Sequence, residues 1–134
     1  MQPGAVRDFI SSREREALKT FYGFSVVWHE QQHAFLAEDE GEATGAAQIT
    51  VAASLAHVDC VIVSAERRRR GAGRALLQAA ADTANYYNCH KMTAMVPHLS
   101  GAQTFFERCG YKVEAVLAQH TFKADIAVLR KFLL

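Results

Sequence analysis

The fold of this chain is decided by one stretch, Val63-Ser64-Ala65-Glu66-Arg67-Arg68-Arg69-Arg70-Gly71-Ala72-Gly73-Arg74-Ala75-Leu76-Leu77. The apolar residues before it are typical of a buried strand, and an amphipathic helical pattern begins at its glycines. A glycine-containing turn between a strand and a helix directs backbone N–H groups and the helix N-terminus to one point, where phosphate oxygens are favoured. The stretch therefore predicts a pyrophosphate site.

Composition limits the remaining possibilities. The 134 residues are 50% hydrophobic and 22% charged, which is ordinary for one globular domain over residues 1–134. A net charge of +1 predicts no general attraction to nucleic acid or to a membrane surface. Because the sequence shows neither a signal-peptide pattern nor an apolar run that could span a bilayer, we expect a cytoplasmic protein. Cys60, Cys89 and Cys109 lack C-x-x-C spacing and are expected to be reduced packing residues.

Hydrophobic periodicity and turn residues predict a mixed order of helices and strands. The predicted elements are a helix over 6–22, a strand over 34–37, an acidic hairpin turn over 38–42, strands over 46–53 and 57–63, a helix from 71 to about 88, a strand over 91–96, a helix over 101–109, and strands over 111–117 and 126–133. The strand over 91–96 must stop at Pro97, which has no N–H to donate. This order predicts a layered α/β domain (α+β layered).

Two motifs resemble those of the GCN5-related N-acetyltransferases (GNAT). The core of motif A, Gln/Arg-x-x-Gly-x-Gly/Ala, resembles Arg68-Arg69-Arg70-Gly71-Ala72-Gly73. Motif B resembles the stretch Ala102-Gln103-Thr104-Phe105-Phe106-Glu107-Arg108-Cys109-Gly110-Tyr111. The motifs follow the order and separation found in the family, and the resemblance covers roughly residues 34–134.

The resemblance implies the acyl-CoA N-acyltransferase fold, a mixed central sheet flanked by helices. Two parallel strands, here 57–63 and 91–96, would splay apart and hold acetyl-CoA in the cleft between them. The implied reaction moves the acetyl group to a primary amine of a small molecule or peptide by direct attack in a ternary complex, without a metal. The N-terminal part is shorter than in most relatives and shows no clear first strand, so a second subunit of a homodimer could complete the acceptor side.

The cofactor site combines glycines, helix-start amides and arginines. Gly71 and Gly73 lack a Cβ, which permits close approach of a diphosphate and a positive φ. Orphan N–H groups from about Arg69 to Arg74 would bind it, with arginines adding charge-assisted bonds. By the resemblance, backbone groups of the splayed strand would pair with pantetheine. The expected cofactor-binding residues are Val61, Ile62, Val63, Arg68, Arg69, Arg70, Gly71, Ala72, Gly73, Arg74, Ser100, Phe105, Phe106 and Arg108.

Acetylation of an amine needs a neutral nucleophile, so some group must accept a proton. Strand alternation predicts that His57, Asp59 and Val61 share one face. By the resemblance, His57 lies near the position of the family's glutamate base, and an imidazole can accept a proton at neutral pH. His57 is the first candidate base and Asp59 the second. The alternative is that both are strand-end residues bonded to water or to a neighbour.

Two positions depart from the family pattern. Phe106 stands where many relatives have the tyrosine that protonates the leaving thiolate, which leaves Tyr111, Ser100, a water or unassisted departure. Leu99 stands where relatives often have an asparagine that holds pantetheine. These departures keep a second reading open, a domain that binds acetyl-CoA without turning it over.

The stretch His29-Glu30-Gln31-Gln32-His33 supports a more remote reading. On a helix, an H-E-x-x-H motif places two imidazoles on one face for zinc, with the glutamate as general base of a hydrolase. The preceding residues are β-branched and aromatic, however, and no third ligand follows at the usual spacing. Nucleic-acid binding through residues 67–70 is disfavoured because no aromatic residues interleave with the arginines.

Overall fold

The protein is described here by a computed structural model that covers residues 2–68 and 70–133. Its elements, in chain order, are α1 (Pro3–Tyr22), β1 (Gln31–Asp39), β2 (Glu42–Ala52), β3 (Leu55–Val63), α2 (Ala72–Tyr86), β4 (Lys91–Pro97), α3 (Gly101–Arg108), β5 (Lys112–Thr121) and β6 (Ala124–Phe132). A 3₁₀ turn, Ala65–Arg67, links β3 to the start of α2. Each predicted helix and strand is present.

The strands form one six-stranded sheet in the order β1-β2-β3-β4-β6-β5. β3 and β4 pair in parallel, while the other neighbouring strands pair antiparallel. The crossover between the two parallel strands contains α2, as a parallel connection requires. This mixed sheet with a parallel pair and flanking helices confirms the predicted fold class.

One face of the sheet carries the core. α2 packs against β1, β2 and β3, and α3 packs against β4, β5 and β6. The predicted apolar stripe of α2 is confirmed, because its buried residues are Leu76, Leu77, Ala80, Ala81 and Ala84. The largest side chains with no more than trace exposure are Ile49, Met92 and Leu129, one from each of three strands. The burial of this apolar face is the main source of stability for the domain.

The opposite sheet face, which we call the open face, is covered by neither α2 nor α3. The exposed apolar residues on it include Leu36, Ile62 and Met95. Leu36 and Ile62 both lie opposite Ala46 in the strand register, so the three form one row across β1, β2 and β3. Polar residues occupy the middle of the same face and contribute to the site described below.

The element boundaries differ from the sequence prediction at several ends. β1 extends over Gln31–Asp39 rather than 34–37, because β2 pairs with it along almost its whole length. α1 begins at Pro3, since proline is favoured in the first helical turn, where its missing N–H is not needed. α2 ends at Tyr86, and Asn88 has a φ of +61°. The alternation of apolar residues cannot report such ends, which depend on the neighbouring strands and on caps.

The cysteine prediction is correct only in part. Cys89 is buried in the core and Cys109 is half-buried, but Cys60 is exposed on β3 and is not a packing residue. Burial raises the pKa of the Cys89 thiol. Within residues 2–68 and 70–133, no helix is both long enough and apolar enough to cross a membrane.

A side chain at Gly45 on β2 should destabilise the fold. A Cβ at this position would lie 2.9 Å from the carbonyl oxygen of Ile62 and 3.2 Å from Cγ2 of Val63. Because a backbone oxygen cannot move aside cheaply, Gly45→Ala should lower the free energy of unfolding by roughly 1–3 kcal/mol in urea titrations. Gly101→Ala is the control, since a Cβ there meets nothing within 4 Å. Equal stability of the Gly45→Ala variant and the wild type would contradict this account.

Candidate active site

The parallel strands β3 and β4 pair only briefly. Leu55, Ala56 and His57 lie opposite Lys91, Met92 and Thr93, and the pairing stops there. β3 continues to Val63 along β2, and β4 continues to Pro97 along β6. The edges of the two strands that face each other beyond this rung therefore have no sheet partner, which is the predicted splay.

A bulge in β3 changes which residues share a face. Gln48 pairs with Cys60 and Ile49 pairs with Val58, so Asp59 is an extra residue between these two pairs. A bulge interrupts the alternation of side chains. Val61 therefore packs against the core instead of lying on the face of His57, and the prediction that His57, Asp59 and Val61 share one face is wrong.

His57 lies at the vertex of the splay. Its Nδ1 is 2.8 Å from Oγ1 of Thr93, across the last paired rung of the two strands. The ring is half-buried and lies on the open face, since its neighbours Ala56 and Val58 are buried on the other face. A hydrogen bond at Nδ1 leaves Nε2 as the nitrogen that can exchange a proton with a ligand.

Asp59, the second candidate base, is exposed beside the same rung. Thr50 donates from Oγ1 to Oδ2 of Asp59 at 2.7 Å, and Thr50 is also the β2 partner of His57. The splay vertex thus combines an imidazole, a carboxylate and two threonine hydroxyls.

The start of α2 offers backbone donors at the open end of the splay, beyond the end of β3. Gly71 is the N-cap residue with a φ of +86°, the left-handed conformation that glycine adopts without strain. Among the described residues no side chain caps this helix end. By contrast, Ser100 caps α3, where its Oγ accepts the N–H of Gln103 at 3.2 Å. The first amides of α2 therefore have no side-chain cap among the described residues, and their role as an anion site stays a prediction.

Gly73 has a different role from Gly71. It is not among the glycines with positive φ, and a Cβ there would lie 2.9 Å from Cζ of Phe105. Its small size thus allows α2 and α3 to approach each other closely. Phe105 is half-buried at this helix contact, next to the cofactor site that the resemblance implies.

Several arginines of the run contact the protein itself. Arg67 forms ion pairs with Asp39 and Glu42 of the β1–β2 hairpin. Arg68 donates from Nε to the carbonyl oxygen of Val63 at 3.3 Å, and Arg74 donates to the carbonyl oxygen of Arg108 at 3.3 Å. Arg69 lies outside the described residues. The fold therefore uses several of these charges to hold the turn, and the phosphate role predicted for Arg68 and Arg74 would compete with these contacts.

Arg70 faces a cavity of about 400 Å³ at the start of α2. Its walls come from the β1–β2 hairpin on one side and from the helix start on the other; the residues that line it are Ala37, Glu38, Asp39, Thr44, Arg67, Arg70, Gly71, Ala72 and Ala75. The volume falls within the range of small-molecule sites. Carboxylates lie on the far wall, so an anion is favoured only on the helix side.

The motif B residues divide between surface and core. Phe106 is only 6% exposed and packs edge-on against Phe105 and Tyr111. This burial disfavours the cofactor contact expected of Phe106, which stays a prediction. The Tyr111 hydroxyl donates to Sδ of Met92 inside the core, and desolvation raises its pKa. This hydroxyl is therefore unsuited to serve as the acid for a leaving thiolate. Arg108 is exposed at the end of α3.

The helix that the H-E-x-x-H reading requires is not formed. His29 and Glu30 lie outside regular structure, and His33 lies in β1 with its Nε2 3.2 Å from Oε1 of Gln31. In the part of the chain that the structure describes, no group of three or more histidine, cysteine or acidic side chains could hold a metal ion.

These features define a class of protein. A mixed sheet whose parallel pair splays apart, next to an uncapped helix start, is the acyl-CoA N-acyltransferase fold. The chain belongs to the acetyltransferase (GNAT) family, whose model matches residues 4–111. None of the curated proteins compared with the chain matches it.

Solved structures agree with this assignment at the level of the fold. An acetyltransferase from Bacillus cereus ATCC 14579 is 18% identical with a TM-score of 0.76, over 94% of this chain and 90% of that one. An aminoglycoside 6'-N-acetyltransferase complexed with coenzyme A is 14% identical with a TM-score of 0.70, over 77% and 73%. An acetyltransferase of the GNAT family from Streptococcus pneumoniae is 17% identical with a TM-score of 0.69, over 77% and 67%.

Sequence reasoning missed Thr93. Its hydroxyl reaches His57 only because β4 pairs with β3 in this register, and two strands separated by a helix carry no local signal of their register. The ion pairs of Arg67 with the acidic hairpin were missed for the same reason. Both contacts join residues that are 25 or more positions apart in the chain.

A charge at Gly71 should weaken the binding of acetyl-CoA, the cosubstrate of the family. In Gly71→Asp, a carboxylate would stand at the helix start where phosphate is expected, so the dissociation constant should rise at least ~10-fold, which corresponds to about 1.4 kcal/mol. Isothermal titration of the purified protein with acetyl-CoA measures this change.

Gly23→Asp is the matched control for that variant. Gly23 also has a positive φ, +79°, and a Cβ there also meets nothing within 4 Å. Both variants thus carry the same backbone cost and the same charge, but Gly23 ends α1. If the two variants bound acetyl-CoA equally well, the start of α2 would not be the phosphate site.

Proposed function

We propose that this protein is an N-acetyltransferase that moves the acetyl group of acetyl-CoA to a primary amine of a small molecule or peptide by direct attack in a ternary complex. The observation that carries the proposal is the arrest of β3–β4 pairing at His57 and Thr93, with the uncapped start of α2 at the open end of the resulting gap. The proposal takes residues 1–134 as one such domain, because both motifs belong to a single sheet and its flanking helices. It places this domain in the cytoplasm.

The chain has groups that fit each part of the cosubstrate. The amides that follow Gly71 would bind the diphosphate, with Arg70 at the edge of the adjoining cavity. The backbone N–H and C=O groups of β3 that face the splay, at Val61 and Ile62, would pair with the pantetheine amides, since buried backbone groups need partners. Acetyl-CoA would supply an activated acyl carbon and a thiol leaving group. No residue of this arrangement requires a metal.

The proposed base is His57. An alkylammonium acceptor must lose a proton before its nitrogen can attack, and Nε2 of His57 is the ring nitrogen not bonded to Thr93. For Nε2 to accept that proton, Nδ1–H must donate to Oγ1 of Thr93. The Thr93 hydroxyl can accept this hydrogen bond, so the contact is compatible with the tautomer in which Nε2 carries the lone pair. The proton passes from the acceptor amine to Nε2, directly or through one water.

Asp59 favours an amine as the acceptor. Its carboxylate lies exposed near the vertex and is held by the hydroxyl of Thr50, so it presents negative charge where the acceptor would enter. A carboxylate attracts an ammonium group and would orient it towards His57. One of the similar structures is an aminoglycoside acetyltransferase, a protein whose acceptor carries such amines.

A second candidate function is the binding of acetyl-CoA without turnover. Phe106 has no proton to donate and the Tyr111 hydroxyl lies in the core, so the chain offers no tyrosine from motif B to the leaving sulfur. Catalysis would then rely on the low intrinsic basicity of the thiolate and on water. The absence of an acid slows the transfer but does not prevent it, which is why we place catalysis first.

The deciding experiment is a thiol-release assay with acetyl-CoA and a panel of acceptors. The panel contains aminoglycosides, polyamines, amino acids and lysine-containing peptides, with N-acetylated forms of the same compounds as controls. Thiol release that depends on a free amine supports the enzyme. Saturable binding of acetyl-CoA with no release for any amine supports the binding domain, and no binding would overturn both.

Loss of the proposed base should affect turnover far more than binding. His57→Ala should lower kcat by roughly 10²–10⁴-fold, the usual contribution of a positioned general base, while acetyl-CoA binding changes little. Asp59→Asn is the comparison, and it should mainly raise the KM for the amine. Steady-state kinetics with the best acceptor measures both effects. If Asp59→Asn lost more kcat than His57→Ala, the two roles would have to be exchanged.

Thr93 should matter through its hydroxyl. Thr93→Val keeps the shape but removes the acceptor for Nδ1–H, and we expect kcat to fall roughly tenfold, in proportion to one lost hydrogen bond. Thr93→Ser should restore most of the rate because it restores the hydroxyl. An unchanged KM for acetyl-CoA in both variants would show that the lower kcat arises from His57 and not from weaker binding of the cosubstrate. Equal rates in the valine and serine variants would show that this contact does not orient His57.

A further inference from the structure

The N-terminal helix has no buried residue. α1 is 20 residues long, and every side chain on it except the half-buried Leu18 is exposed. The connector that follows, residues 24–30, has no helix or strand and leads into β1 at the edge of the sheet. Because most helical stability in proteins comes from the packing of an apolar face rather than from propensity, a stable α1 is expected to have a packing partner.

The exposed apolar surface of this segment is large. The side chains concerned are Val6, Phe9, Ile10, Phe21, Tyr22, Phe24, Val27 and Trp28. A fully exposed aromatic side chain presents roughly 150–250 Å², so the eight together expose on the order of 900 Å². That sum is comparable with the roughly 800 Å² that each partner buries in a stable protein complex.

The open face of the same chain is uncovered and carries an apolar row. On the open face, Leu36 is 61% and Ile62 is 65% exposed, and they flank Ala46 in one row. A helix of 20 residues is about 30 Å long, and a six-stranded sheet is about 24 Å wide. One α1 is therefore long enough to cover such a face.

The charges on α1 argue against other partners. Its basic residues are Arg7, Arg13, Arg15 and Lys19, and its acidic residues are Asp8, Glu14 and Glu16. Opposite charges nearly cancel, whereas helices that bind anionic membranes or nucleic acids are strongly basic. A nearly neutral helix with a wide apolar side suits a partner that is itself nearly neutral, as this chain is with its net charge of +1.

We propose that two copies of this chain form a dimer by exchanging α1, so that α1 and the connector of each copy cover the open face of the other. The exchange is reciprocal, which makes the interface closed and two-fold symmetric. It buries the apolar side of both helices and the row of Leu36 and Ile62. It also places the partner's helix over the face that carries His57 and Thr93, so each partner supplies a wall beside the splay vertex.

Sedimentation equilibrium of the full chain at micromolar concentrations tests the dimer. We expect a dimer, and the double variant Phe9→Ala with Phe21→Ala should raise its dissociation constant by on the order of 100-fold, because two aromatic anchors are lost. Phe122→Ala is the matched control, since Phe122 is 99% exposed at the tip of the β5–β6 turn, away from α1. Leu36→Arg changes the open face instead of α1, and it should also dissociate the dimer.

Cys60 gives an independent readout of the covered face. It lies on the open face and is exposed, while Cys89 is buried. In the dimer Cys60 should react with a thiol reagent roughly tenfold more slowly than in the Phe9 and Phe21 double variant, because only the open form reacts.

Three results would overturn the exchange. The first is a monomer at all concentrations, including one in which α1 covers its own sheet and protects Cys60. The others are a dimer insensitive to the Phe9 and Phe21 changes and a dimer insensitive to Leu36→Arg. Sedimentation with anionic lipid vesicles adds a fourth, since binding of the monomer to vesicles through α1 would show a membrane partner instead. All of these readouts are independent of acetyl transfer, so the proposed function can fail without affecting them.

Discussion

The structure depends on one constraint, the end of parallel pairing between β3 and β4 after the His57–Thr93 rung. A sheet can tolerate this gap only if each strand is held from its other side. β2 holds β3 up to Val63 and β6 holds β4 up to Pro97, so the strands separate without losing their order. The backbone groups that face the gap then need a partner that the sheet does not supply, and a ligand with amides of its own can fill that need.

The helices fix the geometry around this gap. α2 starts just beyond the end of β3 because Gly71 turns the chain with a positive φ. Close contact between Gly73 and Phe105 then joins α2 to α3, so the two helices on either side of the splay are packed against each other. The two glycines of the motif thus serve different purposes. Gly71 is needed for backbone conformation, and Gly73 is needed for the space that Phe105 occupies.

The arginine run shows how a fold can use charges that look functional in the sequence. Arg67 is neutralised by the acidic hairpin, and Arg68 and Arg74 donate to carbonyl oxygens of the chain. These contacts fix the turn that carries the helix start. The proposed attraction for phosphate would then rest on the oriented amides of α2 and their dipole rather than on the number of arginines nearby.

The sequence alone determined the order of helices and strands, the apolar stripe of α2 and the glycine turn at its start. These are properties of neighbouring residues, and periodicity or a short motif reports them directly, whereas the splay of β3 and β4 is implied only by the resemblance to the family. The tertiary structure decided the bulge at Asp59, the burial of Phe106 and Tyr111, the bond between His57 and Thr93, and the exposure of α1. Each of these depends on residues far apart in the chain, whose register and packing are set only when the sheet forms.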